Sequence, residues 1–154
     1  MEEYLIITIS LEVRGFSIRE EEISTLLGKK STEFYDDKTR MPKFAKTTED
    51  IWTHNLWVYS IETSEKCFQS DLRLFLNDLN INNLVYSQSP ISDVRIHIMV
   101  DSVYAQIHLP FSQAVIDELN RLGLMMDVNV VSLGYIKKNS HRLSLKKLFA
   151  KREQ

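Results

Sequence analysis

Between residues 4 and 13 every second position from Ile7 onward is aliphatic: Ile7, Ile9, Leu11 and Val13 fall on one side, Thr8, Ser10 and Glu12 on the other. A period of two marks a strand buried on one face, because successive side chains of a strand point in opposite directions. The runs 93–100 and 103–109 alternate in the same way. Strands of this kind must pair into a sheet and lay their apolar side against a second layer. That requirement removes all-helical and disordered solutions at once.

The second layer is legible as three amphipathic stretches. Ser17-Ile18-Arg19-Glu20 has the form of a capping box, and Glu21 and Glu22 suit the positive end of the helix it would open. Ile23, Leu26 and Leu27 supply its apolar face, and Gly28 stops it. A second helix opens near Ser64, with Phe68, Leu72, Phe75, Leu76 and Leu79 at three- and four-residue steps. Ser112 caps a third, which carries Val115, Ile116, Leu119 and Leu122 and closes at Gly123. Residues 51–61 read as an aromatic-rich strand and 125–133 as the last one. The resulting order predicts an α+β fold: a mainly antiparallel or mixed sheet with helices on one face. Its final strand–strand–helix–strand portion has the form of half a ferredoxin-like unit.

Asp101-Ser102, between two alternating runs, reads as a two-residue hairpin turn. That turn sends Val94, Ile96, Ile98, Val100, Val103, Ala105, Ile107 and Leu109 to the core. Arg95, His97, Met99, Tyr104, Gln106 and His108 face the other way, with His97 opposite Gln106 and diagonal to His108. Arg95, His97, Tyr104 and His108 are thus candidates for a small-ligand or metal-binding face, with His54 or Asp127 as a further metal ligand.

The 154 residues suit one domain, assigned to 1–136, followed by a tail at 137–154 that reads as a short amphipathic helix on Leu145, Leu148 and Phe149. The net charge of −2 averages unlike parts. The tail holds seven basic residues and Glu153, a balance of +6; the remainder, with 12 basic and 20 acidic residues, stands at −8. An acidic body repels nucleic acid and attracts basic partners, so contact with nucleic acid is expected only through the tail. The acidic start, Met1-Glu2-Glu3, lacks the pattern of a secretory signal. A lone Cys67 forms no internal disulfide, and no apolar run approaches the roughly 20 residues of a membrane span. A cytoplasmic location follows as the expectation.

Four isolated glycines make no phosphate loop, and neither a GxSxG elbow nor an HExxH pair occurs. No cofactor, resident metal or catalytic residue is therefore assigned. The stretch 29–50 lacks a period yet carries Phe34, Tyr35, Met41 and Phe44 among charges. Large apolar groups in a long loop favour contact with the domain or a partner. Phe34, Tyr35, Asp36 and Asp37, with Trp52 and Trp57 of the following strand, are the candidate partner contacts, the aromatics as anchors.

Ile7-x-Ile9, Gly15-Phe16-Ser17, Glu22-Ile23-Ser24-x-x-Leu27-Gly28 and Ser31-Thr32, followed by Trp57-Val58-Tyr59-Ser60 and Leu119-x-x-Leu122-Gly123-Leu124-x-Met126-Asp127-Val128, together resemble the bacterial domain-of-unknown-function family numbered 4279. The resemblance spans about residues 4 to 133, with Ser31 standing where the family often has proline. It implies a strand, a helix ending in Leu-Gly, a loop and a Trp-containing strand, and brings no catalytic residues. Small bacterial proteins of this sort look like immunity proteins that neutralise toxins. The expected function is a non-enzymatic protein-binding domain, an immunity-type inhibitor of a toxin or other basic protein, with a small-ligand or metal-binding domain or enzyme using the His97/His108 sheet face as the alternative.

Overall fold

The structure is a computed structural model and describes residues 5–36, 54–85, 91–104 and 106–135. Its elements run β1 (Leu5–Gly15), α1 (Glu20–Leu27), β2 (Glu33–Tyr35), β3 (Asn55–Thr63), α2 (Phe68–Asp78), α3 (Asn82–Val85), β4 (Ile91–Tyr104), α4 (Gln113–Leu122) and β5 (Met125–Tyr135). The strands form one mixed sheet in the order β2-β3-β1-β4-β5. Every junction is antiparallel except β4–β5, which is parallel. This is the α+β class that the alternating runs and helical stripes imply.

β1 takes the centre because its alternating aliphatics have the most to bury. Ile7, Ile9, Leu11 and Val13 are fully buried and stand beside Ile96, Ile98 and Val100 of β4 and Trp57 and Tyr59 of β3. Ile23 and Leu27 of α1, Phe68, Leu72, Phe75 and Leu76 of α2, Leu84 of α3, and Val115 and Leu119 of α4 join the same cluster. Each such side chain contributes roughly 1.5–3 kcal/mol when fully buried. Since the buried residues of every described helix meet this one strand face, the helices form a layer on one side of the sheet.

Helix ends follow local chemistry with one exception. Ser112 accepts a hydrogen bond from the Val115 N–H at 3.3 Å, and Gly28 and Gly123 close α1 and α4 at φ 72° and 65°. The exception is the capping box. Arg19, not Ser17, is the N-cap of α1, and it makes no side-chain cap. Ile18 and Ile23, both fully buried, occupy the positions of a hydrophobic staple that sets the entry of the chain into α1. Core burial of Ile18 thus moves the helix start two residues on, while the Glu20 carboxylate accepts from the Ser31 hydroxyl.

The hairpin expected at Asp101-Ser102 is absent. β4 runs straight through both residues, which pair with Ile6 and Leu5 of β1. The 11-residue β1 supplies backbone partners along this whole length, so the ladder outweighs the local turn signal. Ser102 is buried, its hydroxyl accepts from the Tyr104 N–H, and the β4–β5 register shifts there. Residues 106–112 leave the sheet as irregular chain. The segment read as half a ferredoxin-like unit is accordingly a β4–α4–β5 crossover between two parallel neighbours. β2 and α3 carry no period long enough to announce them. Asp37, Trp52 and the tail at 137–154 lie outside the described residues.

Candidate protein-binding face

The side of the sheet turned away from the helices is built from the intervening residues of the same strands. Hydrogen bonds run along it and across it from strand to strand. The Ser10 and Ser60 hydroxyls meet at 2.8 Å, and Arg14 donates to Glu12 at 2.9 Å. Glu12 Oε1 lies 3.0 Å from His97 Nδ1, and Asn129 Nδ2 lies 2.8 Å from His97 Nε2. Arg95 donates to Asp93 and to Asp127, each at 2.7 Å. Hydrogen bonding to Asp93 first, and then to Asp127, holds the Arg95 guanidinium above its ordinary pKa. These contacts fix the charges in place before anything binds, which lowers the ordering cost of association.

Toward one end the face opens to solvent. The register sets Ile6 beside Asp101 and Thr8 between Glu62 and Met99. Ile6 is 41% exposed, Asp101 and Glu62 are exposed, and Thr8 and Met99 are half-exposed. Exposed apolar side chains with an acidic rim on an open sheet face suit a protein surface better than a small molecule, which needs concavity. A groove of about 700 Å³ does exist, but it lies along α2, lined by Lys66, Arg73 and Leu74 among others, and shares no residue with this face.

The residues expected to contact a partner are spread by the fold. Phe34 pairs opposite Trp57 and packs against the core, Tyr35 is half-buried, and Asp36 is exposed. The Tyr35 hydroxyl donates to Glu33, and this bond, aided by burial, pushes its pKa up to about 12. Trp57 is a correction: it is fully buried, and its indole N–H donates to the Ser24 hydroxyl at 2.9 Å, so it anchors the core and touches no partner. An aromatic-rich strand does not by itself show which of its tryptophans turns inward.

The ligand-face candidates are not gathered into a pocket. Arg95 and His97 do share the face turned away from the described helices, and Asp127 stands opposite His97 in the register. Tyr104 lies seven residues farther along β4, about 23 Å at strand spacing, and His108 is exposed beyond the strand. The hairpin that would have brought His108 back to His97 does not form. His54 stacks on Phe16 at 4.9 Å, and among the described residues no three His, Cys, Asp or Glu side chains group as metal ligands. No described helix is long and apolar enough to cross a membrane. The sequence reading missed Ile6, Glu62 and Asp101: Asp101 was absorbed into the supposed turn, and only Met99 was placed facing outward.

No family model, curated protein or solved structure matches the chain.

Proposed function

We propose that this chain is a non-enzymatic protein-binding domain that meets its partner with the face of the sheet turned away from the described helices. In its most concrete form it is an immunity-type inhibitor that neutralises a toxin or another basic protein. The observation that carries this reading is the open end of that face, where exposed Ile6 and half-exposed Met99 stand among acidic Asp101 and Glu62. Support comes also from the −8 balance outside the tail and from exposed Glu33 and Asp36 at the far edge. Acidic surfaces speed encounter with basic partners and select against acidic ones. The immunity-type form of the proposal rests on analogy with the small bacterial proteins that the resemblance to family 4279 suggests.

The test is stoichiometric capture of a partner from native extract by the tagged full chain, followed by titration of the purified pair. Met99→Arg places a bulky cation in the middle of the open end without removing any of the hydrogen bonds described. A basic partner that binds the wild type and binds M99R at least tenfold more weakly supports the proposal. Equal affinity for M99R, or a partner without basic character, overturns it.

A further inference from the structure

We infer that β5 is the contact through which two copies of this chain pair, edge to edge, into one continuous sheet. β5 is an 11-residue border strand whose far side has no strand neighbour among the described residues. At about 3.3 Å per residue, its regular part, residues 125–132, presents roughly 26 Å of border backbone without a strand partner among the described residues. Natural sheets blunt such borders with short strands, lysines, prolines or inward charges. The opposite border obeys that rule, since β2 has three residues and carries Glu33. β5 is irregular only at its end, where the register shifts and Gly134 takes φ 78°; the stretch 125–132 has no lysine and no proline, and its only charge, Asp127, is already held by Arg95.

The side chains narrow the choice of occupant. Val128 and Val130 lie on the helix side of β5, in register with Ile98 and Val100, yet are 42% and 53% exposed. Val131 lies on the other side, in register with Asp101, and is 55% exposed, and Leu133, at the register shift, is 60% exposed. Apolar groups bared on both faces of one strand are covered together only by another strand that continues the sheet with layers above and below it. A second copy, turned about a two-fold axis perpendicular to the sheet, supplies such a strand with its own β5. Valines then meet valines on the helix side, Val131 extends the other face, and no unpaired charge opposes its like. A border this poor in charge carries no code for a charged foreign partner. Because each copy uses the same edge, the pairing closes at two and leaves the blunted β2 borders outermost. The contact adjoins the face proposed for partner binding, since Val131 stands beside Asp101, but it uses the free backbone edge of β5, whereas Ile6, Met99 and Asp101 belong to β1 and β4.

The experiment is light scattering on the full chain after gel filtration, at micromolar concentration, with Val130→Lys and Val131→Lys alongside. The expected result is a wild type at twice the chain mass, and variants at the chain mass with an unchanged circular dichroism spectrum. A wild type that stays at the chain mass overturns the inference and leaves the edge to a different occupant. So does a dimer that survives both lysines. Should either lysine variant fail to fold, cysteines at 129, 130 and 131, introduced one at a time in a Cys67→Ser background, decide the matter. A disulfide-linked dimer from at least one of them supports the antiparallel β5 pair, and none from all three overturns it.

Discussion

Glu12 and His97 face each other across the β1–β4 ladder, with Oε1 3.0 Å from Nδ1. The Asn129 amide nitrogen approaches Nε2 from the other side at 2.8 Å. Three strands, β1, β4 and β5, are thereby joined through one imidazole. Glu12 is only 12% exposed.

Removing the ring strands a nearly buried carboxylate. His97→Ala is expected to cost about 1–3 kcal/mol, because Glu12 then keeps Arg14 alone as a side-chain partner. Glu12→Gln and the double variant complete a thermodynamic cycle, and a coupling of about 0.5–3 kcal/mol is expected from a direct contact. Urea unfolding of the four proteins measures it. A coupling of zero would mean that the two side chains act independently.

Trp57 gives the second prediction. Its indole N–H is buried and satisfied by the Ser24 hydroxyl, a bond that ties β3 to α1. Ser24→Ala leaves that donor without a partner and is expected to destabilise the fold by about 1–3 kcal/mol. Trp57→Phe removes donor and need together, so adding Ser24→Ala to it should cost little more. The comparison of urea midpoints at constant slope distinguishes a real bond from a mere packing contact, which would make the two changes additive.

Helix starts provide a paired test. Ser112 caps α4 through its side chain, whereas Ser17 is exposed and caps nothing. Ser112→Ala is expected to cost about 1 kcal/mol, and Ser17→Ala to stay within roughly 0.5 kcal/mol, the range of an ordinary surface change. Equal losses at the two sites would restore the capping box that the motif suggested.

That contrast shows where sequence is a good guide and where it fails. Ser112, Gly28 and Gly123 act through bonds within a few residues, so their roles can be read locally. The same holds for the stripe Phe68, Leu72, Phe75, Leu76 and Leu79, whose period alone marks the buried side of α2. The start of α1 is different, because Ile18 is claimed by a core assembled from distant strands. Asp101-Ser102 looks like a turn for the same reason: only the pairing of Ile6 and Leu5 with these residues reveals a continuous strand. The candidate face suffers most from such non-local effects. His97 and Arg95 were recognised as outward-facing, but their neighbours Glu12, Asp127 and Asn129 come from strands that sequence could not set in order. The bared valines of β5 were visible as a strand, yet nothing local says that this strand is a border.

Tyr35 supplies the last prediction, one of pH dependence. Its hydroxyl donates to the Glu33 carboxylate, a bond available only while the phenol keeps its proton, and its pKa rises from 10 to about 12. The unfolded chain gives up this proton near 10, while the folded chain holds it to about 12. The contribution to stability is therefore complete below the unfolded value and is lost as pH climbs through that interval. Its size is small, since Tyr35 is half-open to water and screened. Spectrophotometric titration of tyrosinate should show a late-ionising tyrosine in the wild type that is lost in Glu33→Ala. The stability difference between wild type and Tyr35→Phe, followed by urea unfolding, should shrink as pH rises past 10. A late-titrating tyrosine that persists in Glu33→Ala would assign the shift to a residue other than Tyr35, or to burial instead of the carboxylate.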